Sequence, residues 1–223
     1  MRSRLRGKAP GPCRLWEGDG LKDHPGAAEG VGREGWSGEE EAQQVTHLDL
    51  MHGRDYAAGQ RIAGWLVQEK FDGLRCLWTG TELVSRNGER FNAPAWFTAG
   101  LPVGIPLDGE LYAGVGSLGR ISNLLARHKS GKDEDWQGVR FMVFDAPTVR
   151  GCFSDRAWFL RGIDARHTEI VPTLAVESLT KLCVALKRLH KAGGEGFILR
   201  DPSAPYVAGR TGTVLKFKSK SLY

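Results

Sequence analysis

The chain has 223 residues, 41% of them apolar and 26% charged, ordinary for a globular protein and enough for one sizeable domain plus an extension. No apolar run approaches the roughly 20 residues that span a bilayer. Four scattered cysteines, Cys13, Cys76, Cys152 and Cys183, form no CxxC pair, which argues against a zinc site or a disulfide framework. The net charge of +5 is uneven: residues 1–62 carry 9 Lys and Arg against 10 Asp and Glu, and residues 63–223 carry 22 against 16. The basic excess therefore lies in the part that reads as folded, which suits a polyanionic partner.

Residues 1–45 read as a disordered, Gly-rich tail, with few aliphatics and no period between Gly18 and Glu41. Arg2, Arg4, Arg6 and Lys8 are followed by no apolar stretch, so no secretory signal is recognisable and a cytoplasmic location is expected; a start at another position would reopen export to the periplasm. Residues 46–223 are expected to form one domain. Gly64 to Phe71 reads as a strand, Leu74 to Trp78 as its return, and Glu82 to Ser85 as a third. Asn87-Gly88 signals a two-residue hairpin turn. Pro94 to Thr98 reads as a short helix with proline at its first position. Pro106 to Tyr112 is a strand and Ser117 to His128 a helix. Val139 to Asp145 is an apolar strand expected to be buried on both faces. Ser154 is placed to cap a helix running to about Asp164. Leu179, Leu182, Cys183, Leu186 and Leu189 recur at helical spacing, ended by Gly193-Gly194. Gly196 to Arg200 and Thr213 to Lys218 are the last strands. The pattern is α+β, antiparallel sheets flanked by helices.

Polar clusters punctuate the strand ends. Lys70-Phe71-Asp72-Gly73-Leu74-Arg75 comes first, then Ser85-Arg86-Asn87-Gly88, Asp108-Gly109-Glu110, Phe141 to Asp145, Glu195-Gly196, and Lys216-Phe217-Lys218. A lysine held by packing at a strand end can act as a nucleophile rather than solvate a surface. Lys216 and Lys218 share one face of a strand and repel each other unless an anion lies between them. Phe141 and Phe144, three apart, face opposite sides. Taken singly, each cluster also fits a plain turn or a solvated strand face.

In this order the clusters resemble the motifs of the covalent nucleotidyltransferase superfamily, which comprises DNA ligases, RNA ligases and mRNA capping enzymes. The stretches SRNGERFNAPAWFTAGLP, LDGELYAG, VRFMVFDAP and APYVAGRTGTVLKFK look like the small ATP-dependent DNA ligases of bacteria and their phages, over about Leu48 to Ser219. The resemblance implies an ATP-grasp-like nucleotidyltransferase domain. The family's DNA ligases carry an OB-fold domain after the last cluster; the expectation here is an adenylation domain without it, with an OB-fold domain missing from this chain as a further partner. The resemblance also implies that Lys70 attacks the α-phosphorus of ATP to form lysyl-AMP, which is passed to the 5′-phosphate of nicked double-stranded DNA. Arg75, Lys216, Lys218 and a bound Mg²⁺ are the cations expected near that amine. Gln68, with Glu69 beside it, stands where the family reads adenine, often with glutamate. Asp72 would hold the loop, and Gly73 would permit close backbone approach. Arg75 and Arg86 would bind phosphates. Glu110 would lie near the ribose and metal, Glu195 would be a metal-site carboxylate, and Phe144 would stack on the base. Lys216 and Lys218 would neutralise charge on the phosphates. RNA ligase, capping-type transferase and a non-catalytic nucleic-acid-binding relative are the alternatives. A monomer with no membrane partner is expected.

Overall fold

The computed structural model describes residues 50–126 and 133–222. The expected tail, 1–45, and the expected helix end at His128 lie outside them. In chain order the strands are β1 (His52–Asp55), β2 (Leu66–Lys70), β3 (Leu74–Trp78), β4 (Leu83–Ser85), β5 (Leu107–Tyr112), β6 (Arg140–Asp145), β7 (Thr168–Ile170), β8 (Leu174–Ala175), β9 (Gly196–Arg200) and β10 (Arg210–Phe217). The helices are α1 (Ala95–Thr98), α2 (Leu118–Ala126), α3 (Phe153–Leu160) and α4 (Leu179–Lys191).

Two five-stranded sheets result, ordered β1-β10-β9-β2-β8 and β4-β3-β5-β6-β7. Neighbours are mostly antiparallel, as expected, but β1 runs parallel to β10 and β7 parallel to β6. β1, β7 and β8 carry no strand signal in the sequence. Each is two to four residues long and lies at a sheet edge, so no alternating apolar pattern marks it. No helix among the described residues is long and apolar enough to cross a membrane.

Each sheet has its own core. Leu182, Leu186 and Leu189 of α4 pack on Val67, Phe197, Leu199, Leu215 and Phe217 of the first sheet. The 3.6-residue period of the leucines puts them on one helix face, and the period of two puts the strand residues on one sheet face. In the second sheet Cys76, Trp78, Leu111, Phe141 and Val143 pack with Phe97, Ile121 and Trp136. Phe71, Met142 and Val171 form a smaller cluster with Tyr112 and Phe144 packed against it, and Phe71 and Phe144 line the cleft between the sheets.

Three local expectations need correction. Pro94 is the N-cap of α1, in extended conformation, and the helix begins at Ala95. α3 is capped by Cys152, not Ser154, because the Asp155 carboxylate accepts the Cys152 N–H at 2.8 Å, and the helix stops at Leu160. Around Asn87-Gly88 the turn closes through Gly88 N–H to Ser85 carbonyl at 2.9 Å, and its far side forms a short bridge, Val84 with Arg90, through Ser85 N–H to Glu89 carbonyl at 2.7 Å and Phe91 N–H to Leu83 carbonyl at 2.9 Å, rather than a full strand. The Phe91 side chain is buried in the core of the second sheet.

Two buried polar knots join the elements around the cleft. Asp145 of β6 accepts Arg156 Nε at 2.6 Å, Arg200 Nη1 at 2.7 Å and its neighbour's Ala146 N–H at 2.8 Å, tying α3 and both sheets together. Asp108 of β5 accepts Arg75 through Nε at 3.0 Å and Nη2 at 2.6 Å, and the Tyr206 hydroxyl at 2.9 Å.

Candidate functional site

The two sheets flank a cleft of about 870 Å³, and the turn from β2 to β3 crosses between them. Lys70 ends β2 opposite Gly196 of β9. Gly73 makes the crossing possible: a Cβ there would stand 2.2 Å from the Leu111 carbonyl oxygen. The absent side chain lets the Gly73 N–H donate to the Glu110 carboxylate at 3.0 Å. Gly196, at φ 155°, is similarly confined, since a Cβ would lie 2.6 Å from the Phe217 carbonyl oxygen.

The Lys70 amine forms an ion pair with one oxygen of Glu195, and Lys218 pairs with the other. Two ammonium groups thus converge on one carboxylate, whose main-chain carbonyl accepts from His190 Nε2 of α4 at 3.1 Å. Burial raises the Glu195 pKa, but the hydrogen bonds from Lys218 and Lys70 outweigh it and hold the group below the usual carboxylate range. Lys216 lines the cleft from the same face of β10, while Phe217 between the two lysines is buried. Burial lowers the Lys216 pKa against the pull of Asp55, and the nearby cations Lys218 and Lys70 lower it further.

Glu110 lines the cleft, and burial pushes its pKa up to about 6 despite Lys70, the Gly73 N–H and Arg75. The Glu69 side chain is half-buried with no hydrogen-bond partner among the described residues, and burial raises its pKa to about 7. No group of three or more His, Cys, Asp or Glu among the described residues is placed to hold a metal. Glu110 and Glu195 are near enough to repel one another. This donor set fits a Mg²⁺ that takes most of its shell from phosphate oxygens and water.

Phe144 lines the cleft half-buried, with the guanidinium carbons of Arg75 and Arg200 at 5.4 and 5.3 Å from its ring centroid. Phe141 is buried in the second core, on the opposite side, as its spacing requires. Gln68 is buried against the same wall, its Nε2 bonded to the Phe144 carbonyl at 3.2 Å and to Thr173 Oγ1 at 2.9 Å. Arg75 also reaches the Met51 carbonyl at 2.6 Å, so much of its fork is committed inside the protein. Arg86 is exposed on the rim, where it makes no ion pair among the described residues.

Of the residues expected at the site, Gln68, Glu69, Lys70, Gly73, Arg75, Arg86, Glu110, Phe144 and Lys216 line the cleft, and Glu195 and Lys218 join it through the Lys70 ion pair. Asp72 is exposed and does not line it. Asp108, Asp145, Arg156, Arg200, Thr173, His190 and Tyr206 carried no assigned role from the sequence. The available signal was charge inside apolar runs, Asp145 closing VRFMVFD and Arg200 closing GFILR, since a buried charge requires a partner.

No protein-family model matches the chain. A curated DNA ligase of Haemophilus influenzae is 34% identical over 164 residues, 72% of this chain and 60% of that protein. The chain thus spans about three fifths of the length of that relative. A Lig E DNA ligase, described as binding DNA with a minimal scaffold, superposes with a TM-score of 0.70 at 32% identity, covering 76% of this chain and 68% of that one. The Chlorella virus DNA ligase-adenylate superposes with a TM-score of 0.63 at 18% identity, covering 78% and 68%, a likeness of fold. By sequence identity, by fold and by the cleft its motifs enclose, the chain belongs to the DNA ligase family, with the adenylation-domain architecture of the ATP-dependent members.

Proposed function

We propose that residues 46–223 form the adenylation unit of an ATP-dependent DNA ligase that joins nicks through a lysyl-AMP intermediate. The observation that carries this reading is the convergence of Lys70, Glu195 and Lys218 beside a nucleotide-sized cleft walled by Phe144 and Gln68. An ammonium must lose its proton before it attacks phosphorus, and the carboxylate in contact with it is Glu195. The nitrogen lone pair then forms the P–N bond as the P–O bond to pyrophosphate breaks. The remaining work is positioning and charge neutralisation.

Phe144 covers the face of adenine and Gln68 meets its edge, with Glu69 beside it. Gly73 keeps the backbone close to the nucleotide and Glu110 reaches the ribose. Lys216 and Lys218 meet the phosphates, and Arg86 on the rim meets an incoming phosphate. Arg75 serves first as the clamp between Asp108 and Phe144, and Asp72 acts from outside the cleft on the turn. Glu110 and Glu195 would hold Mg²⁺, which supplies charge neutralisation on phosphate oxygens when bound. Nicked double-stranded DNA is the partner, drawn by the basic excess of residues 63–223.

Incubation with Mg²⁺ and α-labelled ATP followed by denaturing electrophoresis tests the reading. A covalent label that disappears in Lys70→Ala is expected. Absence of label, or label that survives the substitution, refutes it; preference for GTP would favour a capping-type transferase.

A further inference from the structure

Glu195 carries the carboxylate on which the Lys70 and Lys218 amines converge, yet its backbone stands outside the sheet. The last paired residues at that end are Lys70 with Gly196 and Phe217 with Phe197, so strand pairing stops before Glu195. A backbone carbonyl there must find its hydrogen bond elsewhere. His190 of α4 supplies it. Its Nε2 lies 3.1 Å from the Glu195 carbonyl oxygen, and a carbonyl only accepts, so Nε2 carries the hydrogen. The same ring reaches the second lysine's segment. Its Nδ1 lies 3.1 Å from Oγ of Ser219, the residue that follows Lys218. One imidazole therefore touches the residue that bears the carboxylate and the neighbour of the residue that bears the second amine.

The ring stands on a fixed support. Leu186 and Leu189 bury the inner face of α4 in the first core. At the helix end the Gly193 N–H bonds to the His190 carbonyl at 3.0 Å and the Gly194 N–H to the Leu189 carbonyl at 2.9 Å, which closes the turn that leads to Glu195.

We propose that His190 is a positioning residue for the transfer step: by tying the Glu195 backbone to the segment after Lys218, it sets the placement from which the Glu195 carboxylate spans the two amines. The inference rests on the lysyl-transfer reading given above. His190 does not line the cleft, so it acts on a bound nucleotide only through Glu195 and Lys218. The residues assigned to base and ribose, Gln68, Phe144 and Glu110, stand on β2, β6 and β5, away from it. A displacement of about 1 Å at a reacting group can cost about a hundredfold in rate. Loss of His190 should therefore slow transfer and spare nucleotide binding.

Single-turnover formation of lysyl-AMP measures the rate, and calorimetry with α,β-methylene-ATP, which cannot transfer AMP, measures binding. His190→Ala and His190→Phe, which keeps a ring but cannot hydrogen-bond, are each expected to slow labelling at least tenfold with the dissociation constant within about twofold. His190→Gln, whose Nε2 can donate to the same carbonyl, is expected to recover most of the rate. Proton–nitrogen spectra of the lysine ammonium groups read the arrangement without chemistry. The Lys70 and Lys218 signals, protected by their ion pairs, are expected to broaden in the alanine and phenylalanine variants and to persist in the glutamine variant. An unchanged rate in variants with an intact fold by circular dichroism, an equal loss of analogue affinity, or no recovery by glutamine overturns the inference. If the unaltered chain takes no label, the nucleotidyl-transfer reading fails and the ammonium signals decide alone: persistence without the His190 donor overturns the positioning role, and selective loss supports it.

Discussion

Replacing Asp145 by asparagine is expected to be among the most damaging single isosteric changes in the chain. Its carboxylate is fully buried and faces two guanidinium groups, Arg156 fully buried and Arg200 nearly so. Asparagine keeps the volume but removes the charge, and its NH₂ must face one of the donors that Asp145 now accepts at 2.6 to 2.8 Å. Breaking a buried ion pair by removing one partner costs about 3–5 kcal/mol, because the other charge stays buried. With a urea slope of about 2 kcal/mol per molar, the unfolding midpoint should fall by roughly 1.5–2.5 M at an unchanged slope. Equilibrium urea unfolding followed by tryptophan fluorescence and circular dichroism measures it. The same substitution should weaken nucleotide binding, since Arg200 leans on both Asp145 and the Phe144 ring. A midpoint loss corresponding to less than about 1 kcal/mol would show that water or neighbouring groups solvate the guanidinium pair, and would refute this account of the join between the sheets.

Glu69, with its pKa raised to about 7 by burial, contributes stability that is full below its unfolded value and is lost as pH rises through about 7. Glu69→Gln should therefore raise the urea midpoint at pH 8, by an amount equivalent to about 1–3 kcal/mol after solvent screening, and change little at pH 4; equal effects at both pH values would contradict the assigned cause. Gly73→Ala should destabilise by more than about 2 kcal/mol, because its Cβ meets the Leu111 carbonyl at 2.2 Å and the backbone must move; a native melting temperature would contradict it. Arg210 stands exposed at the cleft rim, so Arg210→Ala should reduce the slope of log K against log salt for duplex DNA binding by about one; an unchanged slope places the duplex elsewhere.

Strands carried by short apolar runs between turn signals were legible in the sequence. β2, β3, β5, β6 and β9 stand within a residue or two of where their pattern put them, and the leucine spacing of α4 marked its buried face. Edge strands were not legible, because TEI and LA carry too few residues to show a period. Among the residues expected at the site, Lys70, Glu110, Phe144, Glu195, Lys216 and Lys218 could be picked out by the order of their clusters and its resemblance to the nucleotidyltransferase motifs, since each cluster alone also fits a plain turn or a solvated strand face. Thr173 and His190 could not, since a threonine after a proline and a histidine late in a helix look like any surface residue. Arg75 shows the limit from the other side: its cluster suggested a phosphate ligand, yet Asp108, 33 residues away, already holds it.

By itself the sequence determined where the main apolar strands and the leucine face of α4 lie and which chemical groups stand at the strand ends, because apolar runs and helical spacing are properties of neighbours along the chain. Tertiary structure alone decided the partnerships: which carboxylate Lys70 meets, which groups bond the Gln68 amide, and which charges sink between the sheets. Those choices depend on groups up to 125 residues apart meeting within hydrogen-bond range, a distance no local pattern encodes.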